Sequence, residues 1–488
     1  MVAAQGSGCE PFCKTIKNYF TGRKLFLKVE NLYLILYKQA GAPWGRIGNQ
    51  VKFLSGPATV TGKCLPSSHC TDLIICQEPY GKAVECVARK PGDLPAWGSP
   101  FRKRGILWMM EKSTALPVVD FLMFKGEVKF KMELLTKTLQ SIENPDKGAM
   151  EAARERLNNL IKPPGSLGML EELAEKMAGI TGNTRPQIGE RSVIVMAGDH
   201  GVVEEGVSVA PQEITRQMLP NFIRGIAGIG VLARQAGARL VVVDVGVAGG
   251  PVETPGVISR KVRPGTANIA KGPAMTREEA VQAIEVGIEM VNEEINRGTT
   301  IVATGDMGIG NTTPSSAILA AFGHYTAEEV TGRGTLVNDE VMAKKSKAIA
   351  QALVINQPDP SDGLDVLFKV GGLEIAGLTG VILGAAAGRI PVIIDGFIST
   401  AAAMVAAAIE PKCKEYMIAA HLSAEAGHKL MLEHLGLRPM LYMDMRLGEG
   451  TGAVLGMHLV DAGCRILNEM ATFAEANVMD LEEDKILK

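Results

Sequence analysis

The stretch Arg191-Ser-Val-Ile-Val-Met-Ala-Gly-Asp-His-Gly201 decides the fold. Arg191 to Met196 is an apolar, β-branched run without the polar alternation of a half-wetted strand, and it stops at small residues and an acid. Three further runs repeat the pattern. Leu240 to Val245 leads into Gly246 with Asp244 near its end, Thr300 to Ala303 runs into Gly305-Asp306, and Pro391 to Ile394 stops at Asp395-Gly396. Helix-length segments separate the runs. Near-continuous apolar strands alternating with helices predict an α/β fold, a parallel sheet covered by helices on both faces. Ligands in such sheets sit beyond the carboxyl ends of the strands. The topology therefore predicts that Asp199/His200, Asp244/Gly246, Asp306/Gly308 and Asp395/Gly396 converge there.

Two glycine-rich loops, each carrying one acid, give this site its chemistry: Gly305-Asp-Met-Gly-Ile-Gly-Asn-Thr-Thr313 and Leu447-Gly-Glu-Gly-Thr-Gly-Ala453. Glycines let backbone N–H groups approach an anion, and hydroxyls and Asn311 add donors. A lone carboxylate is badly placed to hold phosphate, because like charges repel. It is well placed to take a proton from something lying beside a phosphate-bearing molecule. The helix expected over Ser315 to Phe322 points its N-terminal dipole at the first loop, which favours phosphate. The bland alternative is a strand-to-helix turn with an N-cap from Asn or Thr. The first loop lacks the Gly-Lys-Ser/Thr of a Walker A loop, and its GxxGxG spacing is not a strong dinucleotide fingerprint. Glu449 stands among residues of almost no bulk, and apolar Leu447, Ala453 and Leu455 favour a raised pKa. Capping of nearby backbone is its structural alternative. Val370-Gly-Gly-Leu-Glu374 fits a phosphate or ribose cradle and close helix packing equally well.

Other chemistries find no support. The histidines His200, His324, His421, His428, His434 and His458 form no HxH or HExxH set, and are read as structural or supporting, with no metal and no cofactor expected. No GxSxG elbow is present, nor the adjacent acidic pair with a Thr/Gly phosphate loop used by enzymes of activated ribosyl pyrophosphate.

The 488 residues exceed one ordinary core. A net charge of −2 argues against nucleic-acid binding by the whole chain. Charge is uneven, with 19 Lys+Arg against 9 Asp+Glu in residues 1–131 and 32 against 44 afterwards. All three tryptophans and six of eight cysteines also precede residue 132. The cysteines there lack the close pairing of a zinc site. Residues 1–131 are therefore read as an atypical basic extension, a mis-called start or a poorly ordered segment, with Met132 as the true beginning. Cys413 and Cys464 suit a reducing cytosol. The apolar stretch Leu373 to Ile394, broken by Glu374, Arg389 and Pro391, is a buried strand-and-helix pattern and not a membrane span. No signal peptide is visible, and a cytoplasmic protein is expected.

A series of motifs in fixed order then becomes recognisable: Lys162-Pro-Pro-Gly-Ser-Leu-Gly168, Ala197-Gly-Asp-His-Gly201, Gly206-Val-Ser208, Gln217-Met218, the two acid loops, Lys369-Val-Gly-Gly372, Ser423-Ala-Glu425 and Arg446. Over residues 132–480 the chain closely resembles the nicotinate-nucleotide–dimethylbenzimidazole phosphoribosyltransferases. The resemblance implies transfer of 5-phosphoribose from nicotinate mononucleotide to 5,6-dimethylbenzimidazole, with α-ribazole 5′-phosphate and nicotinate as products. It aligns Glu449 with the family's catalytic base. It puts Asp306, where the family usually has the longer Glu, and Lys345 against the donor. Ser208 and Gln217 would line the benzimidazole pocket, and Gly308, Gly310, Asn311, Thr312, Thr313, Gly450, Thr451 and Gly452 would hold phosphate. It implies a Rossmann-like α/β domain over residues 165–463, a small helical domain from residues 132–164 and 464–488, and a homodimer. After Gly332-Arg-Gly-Thr335 the chain departs from the family pattern, reading Leu336-Val-Asn-Asp339. A non-catalytic nucleotide carrier, and an enzyme with adenine, a phenol or another benzimidazole as acceptor, are the competing readings.

Overall fold

The structure is a computed structural model that divides into two units, Met1–Lys129 and Phe130–Lys488. It describes residues 132–332 and 339–479 and, in the first unit, the backbone of seven strands. These strands, β1 (Ile16–Thr21), β2 (Lys24–Val29), β3 (Leu32–Tyr37), β4 (Gln50–Ser55), β5 (Ala58–Cys64), β6 (Leu73–Gln77) and β7 (Ala83–Val87), pair with their sequence neighbours, antiparallel throughout. The reading of residues 1–131 as a mis-called start falls largely outside the described residues, as do residues 480–488 of the expected helical domain.

The second unit is built on six parallel strands: β8 (Glu190–Gly198), β9 (Ala238–Gly246), β10 (Val257–Ser259), β11 (Thr299–Met307), β12 (Val392–Ile394) and β13 (Met417–Ala419). Their order in the sheet is β10-β9-β8-β11-β12-β13. The chain thus winds outward from β8 in one direction, then returns to β8's other side at β11 and winds the opposite way. The crevice between the carboxyl ends of β8 and β11 is the switch point at which doubly wound sheets bind ligands. Register brings the ends level there, with Met307 opposite Ala197 and Ala197 opposite Asp244.

Side chains alternate across the sheet and feed two cores. Ile194, Met196, Val243, Val245 and Val302 pack on one face with the helices Arg277–Asn296, Leu373–Ala387 and Phe397–Ile409. Val193, Val195, Val242, Ile301 and Ala303 pack on the other with Glu213–Ile223, Gly228–Ala236 and Thr451–Glu469. The Rossmann-like sheet with helices on both faces is thus realised.

A smaller core joins both ends of this unit. Ala149, Ala153, Leu157 and Leu160 meet Ala174, Ala178 and Leu467, and Leu160 bridges Thr472. The helix Met169–Thr181 takes part in this cluster. The helix Thr451–Glu469 runs without a break from the second acid loop into it, across residues 463 and 464. Among the described residues no helix is long and apolar enough to cross a membrane.

Candidate active site

The two acid loops meet. Gly305, near the end of β11, lies so close to the backbone of Glu449 that a Cβ there would collide with the Glu449 carbonyl. A Cβ on Gly448 would stand 3.2 Å from Asp306 Oδ2. Each loop is therefore glycine-rich where the other passes, a tertiary reason for residues that at sequence level suggest only anion binding.

Glu449 stands in a run of three left-handed residues, with φ of 79° at Gly448, 64° at Glu449 and 94° at Gly450. The conformation costs a residue with a Cβ roughly 1–2 kcal/mol, so the surroundings must hold it. Its side chain is 6% exposed. The amide of Ile229, at the start of the helix Gly228–Ala236, donates to its Oε2 at 3.0 Å. Burial raises its pKa above the ordinary glutamate value, against the pull of that amide. A carboxylate so placed remains a base but a stronger one.

Asp306 is in a different environment. Burial, then the charges of Asp395 and Glu374, push its pKa well above the usual range, with Glu449 adding a smaller push and the amide of Asn311 pulling the other way. Asn311 Nδ2 donates to Oδ2 at 3.0 Å, and Oδ1 has no hydrogen-bond partner among the described residues. Carboxyl groups gathered this closely raise one another's pKa, and Asp306 is pushed well up.

Below the first loop lies a pair the sequence did not single out as a unit. His200 Nε2 and Glu374 Oε1 are 2.7 Å apart and both side chains are buried. Burial disfavours the imidazolium, yet the Glu374 carboxylate outweighs it and the His200 pKa is raised. Gly308 and Gly372 pack against this pair, and a Cβ on Gly308 would lie 3.2 Å from His200 Nε2. The glycines of Val370–Glu374 thus serve close packing here. The signal available in sequence was His200 beside Gly201 and Glu374 two residues after Gly372, each at an element end.

The helix Thr312–Gly323 starts directly after the first loop. Lys345, 1% exposed, donates from Nζ to Thr312 Oγ1 at 2.9 Å and to the Gly332 carbonyl at 3.3 Å. Burial lowers its pKa to about 8, with the charge of Glu425 drawing it back up. Thr313 Oγ1 is buried with no partner among the described residues. An ammonium beside a helix N-terminus is a fitting place for a phosphate dianion. Residues 333–338, where the chain departs from the family pattern, lie outside the described residues.

The amides of the second loop are engaged differently. Asp395, at the end of β12, accepts the Gly450 N–H on Oδ2 (3.1 Å) and the Ala453 N–H on Oδ1 (2.8 Å). Burial pushes its pKa up to about 7, opposed by the amides of Ala453, Gly450, Gly452 and Gly396. The stretch Gly450–Gly452, expected to hold phosphate, faces the chain's own carboxylate. Thr451 turns its hydroxyl back to the Gly448 carbonyl at 2.8 Å.

Ser208 and Gln217 make local contacts only among the described hydrogen bonds. The Ser208 hydroxyl is half-buried and closes a local turn with Ala210. Gln217 is exposed on the helix Glu213–Ile223, whose inward face carries Thr215, Leu219 and Phe222. Thr215, and not Gln217, touches the first loop by accepting the Ile309 N–H at 3.0 Å. Two positions along a helix rotate a side chain by roughly 200°, so the two residues do not share a face. None of the described hydrogen bonds joins Ser208 or Gln217 to Glu449 or Asp306. Asp199 and Asp244 brace the neighbouring strand ends, accepting the Ala248 and Val247 amides at 2.7 and 2.9 Å. Among the described residues no three His, Cys, Asp or Glu side chains group as metal ligands.

Fold and site together define a class: a doubly wound α/β enzyme with a buried carboxylate and, on the neighbouring loop, a helix start beside a buried lysine at its switch point. The family model described as phosphoribosyltransferase matches residues 142–478. The chain is similar to the nicotinate-nucleotide–dimethylbenzimidazole phosphoribosyltransferase of Desulforamulus reducens, with 56% identity over 348 residues, 71% of this chain and 99% of that protein. Its similarity to the Geobacter sulfurreducens enzyme of the same name is 55% over 349 residues, 72% of this chain and 99% of the relative. Among solved structures it is similar to the enzyme of that name from Thermus thermophilus, with a TM-score of 0.66 and 46% identity over 69% of this chain and 99% of the other. The chain belongs to this phosphoribosyltransferase family.

Proposed function

We propose that this enzyme transfers 5-phosphoribose from nicotinate mononucleotide to 5,6-dimethylbenzimidazole, giving α-ribazole 5′-phosphate and nicotinate in assembly of the cobalamin nucleotide loop. The observation that carries the reading is Glu449, a buried carboxylate with a raised pKa held on a left-handed turn and facing the loop that leads to Lys345 and Thr312.

The donor brings its own leaving group. Its pyridinium nitrogen carries positive charge, so as the C1′–N bond breaks the electron pair neutralises the ring and nicotinate departs without a proton. The acceptor is the half that needs help. One benzimidazole nitrogen attacks C1′ while the N–H of the other loses its proton to Glu449, which raises the electron density of the ring. In-line attack inverts the anomeric centre from β to α. The phosphate is taken by Lys345, Thr312 and Thr313 at the start of the helix Thr312–Gly323, with the Gly308–Asn311 turn alongside. The raised pKa of Asp306 lessens its repulsion of the donor's phosphate. The protein acts as a homodimer in the cytoplasm on this reading.

The test is incubation of the chain with the two substrates and identification of products by mass. Appearance of α-ribazole phosphate with nicotinate supports the reading, and binding without turnover turns it to a carrier. Glu449→Gln, which keeps shape and removes basicity, is expected to fold and to lose roughly 10²–10⁴-fold in kcat.

A further inference from the structure

We infer that Asp395 is the positioning residue for Glu449: its carboxylate fills the N-terminal end of the helix Thr451–Glu469 and so locks the left-handed turn on which the base stands. The inference rests on the proposed reaction, because it gives Asp395 a part in that chemistry without contact with substrate.

The geometry has three parts. First, the two oxygens of Asp395 are committed to two different amides of one helical turn, Gly450 and Ala453. A helix start leaves such N–H groups without intrahelical partners, and a carboxylate there is favoured by both hydrogen bonding and the dipole. Second, Asp395 is itself fixed from the sheet. Its N–H donates to Thr304 Oγ1 at 3.2 Å, and that hydroxyl donates to the Ile393 carbonyl at 3.2 Å, so β11 and β12 set its position together. Third, the restraint lands on the residue directly after Glu449. Gly450, bonded to Asp395, closes the run of positive φ and packs so near Val193 and Thr304 that a Cβ there would lie 2.8 Å from Val193 Cγ2. The Glu449 side chain is held by the Ile229 amide. Its backbone is held through Asp395.

A side chain that merely filled space would not need two acceptor oxygens. Asparagine would keep one and turn an NH2 group toward the second amide, leaving a buried donor facing a donor. The first turn of the helix would then loosen, and Glu449 with it. A displacement of about 1 Å in a catalytic group is worth roughly a hundredfold in rate.

The experiment compares wild type, Asp395→Asn, Glu449→Gln and the double variant in the full chain, reading kcat and KM for both substrates. Asp395→Asn is expected to lower kcat by roughly tenfold to a hundredfold with KM within about threefold of wild type. In the Glu449→Gln background it should cost nothing further, because a residue acting through the base has nothing left to act on. A kcat within about threefold of wild type, or losses that multiply in the double variant, overturns the inference. Should Asp395→Asn fail to fold, Thr304→Val takes its place. It releases the Asp395 N–H, and an unchanged kcat there counts against the inference. Hydrogen exchange over residues 447–455 reads the same restraint without turnover, and faster exchange in either variant is expected. Should wild type make no product, it is the proposed reaction that fails. The exchange result still decides whether Asp395 holds the turn.

Discussion

The two acid loops look alike in sequence and behave as opposites in the fold. Each has glycines spaced by one or two residues, one carboxylate and a following threonine. In the first, burial and then the charges of Asp395 and Glu374 push the acid's pKa well up. The helix that follows begins at Thr312, whose hydroxyl accepts from Lys345. In the second, the amides after the acid are already engaged by Asp395. Its acid accepts the Ile229 amide and has a moderately raised pKa. One loop joins its acid to a helix start beside a buried lysine, and the other sets its acid on a left-handed turn. What separates them is the charge and the amides each meets across the sheet, which no local motif contains.

The same carboxamide substitution in both loops tests this division most strongly. Glu449→Gln removes the base and carries the loss of roughly 10²–10⁴-fold already stated. Asp306→Asn removes an acid whose pKa is already pushed well up by burial and neighbouring charge, and kcat is expected to stay within about tenfold of wild type. Equal losses from the two would erase the distinction between the loops.

Lys345→Met is next in size. On the proposed reading its ammonium holds the donor's phosphate, so KM for nicotinate mononucleotide should rise by roughly ten- to a hundredfold, the scale of one charge-assisted contact, with a smaller change in kcat. Its pH dependence has a definite sign. Because the Lys345 pKa is lowered to about 8, the ammonium is lost as pH rises through about 8, and donor KM in the wild type should climb above that pH. In Lys345→Met that climb should be absent. Initial-rate measurements between pH 6 and about 9.5 read both.

The smallest effect is on stability. The His200 pKa is raised by its contact with Glu374, against burial. A raised folded-state value stabilises fully below the unfolded pKa of about 6.5 and is lost as pH rises through the folded value. The Tm of His200→Gln should therefore fall furthest below wild type in mildly acidic buffer, with the gap narrowing as pH rises. A gap independent of pH would show that His200 supports the Gly308 turn by packing alone.

Much of this was written along the chain. Unalternated β-branched runs such as Val193–Val195 and Val241–Val243 have to be buried on both faces, so their parallel sheet follows from local composition. The acid at each strand end and the glycines beside Glu449 are equally visible, because backbone conformation and close approach limit the residues allowed. The order β10-β9-β8-β11-β12-β13 is not local, and it alone places the crevice between β8 and β11. The pairing of His200 with Glu374 spans 174 positions, and Asp395 reaches Gly450 across 55. That Thr215 bonds the first loop depends on which face of its helix turned inward. Sequence by itself determined the kinds of element, the residues able to do chemistry and the strand ends that carry them, because these follow from side-chain size, polarity and local backbone freedom. The tertiary structure alone decided how each acid's pKa is shifted and by which neighbours, since pKa values depend on burial and on charges brought together from distant parts of the chain.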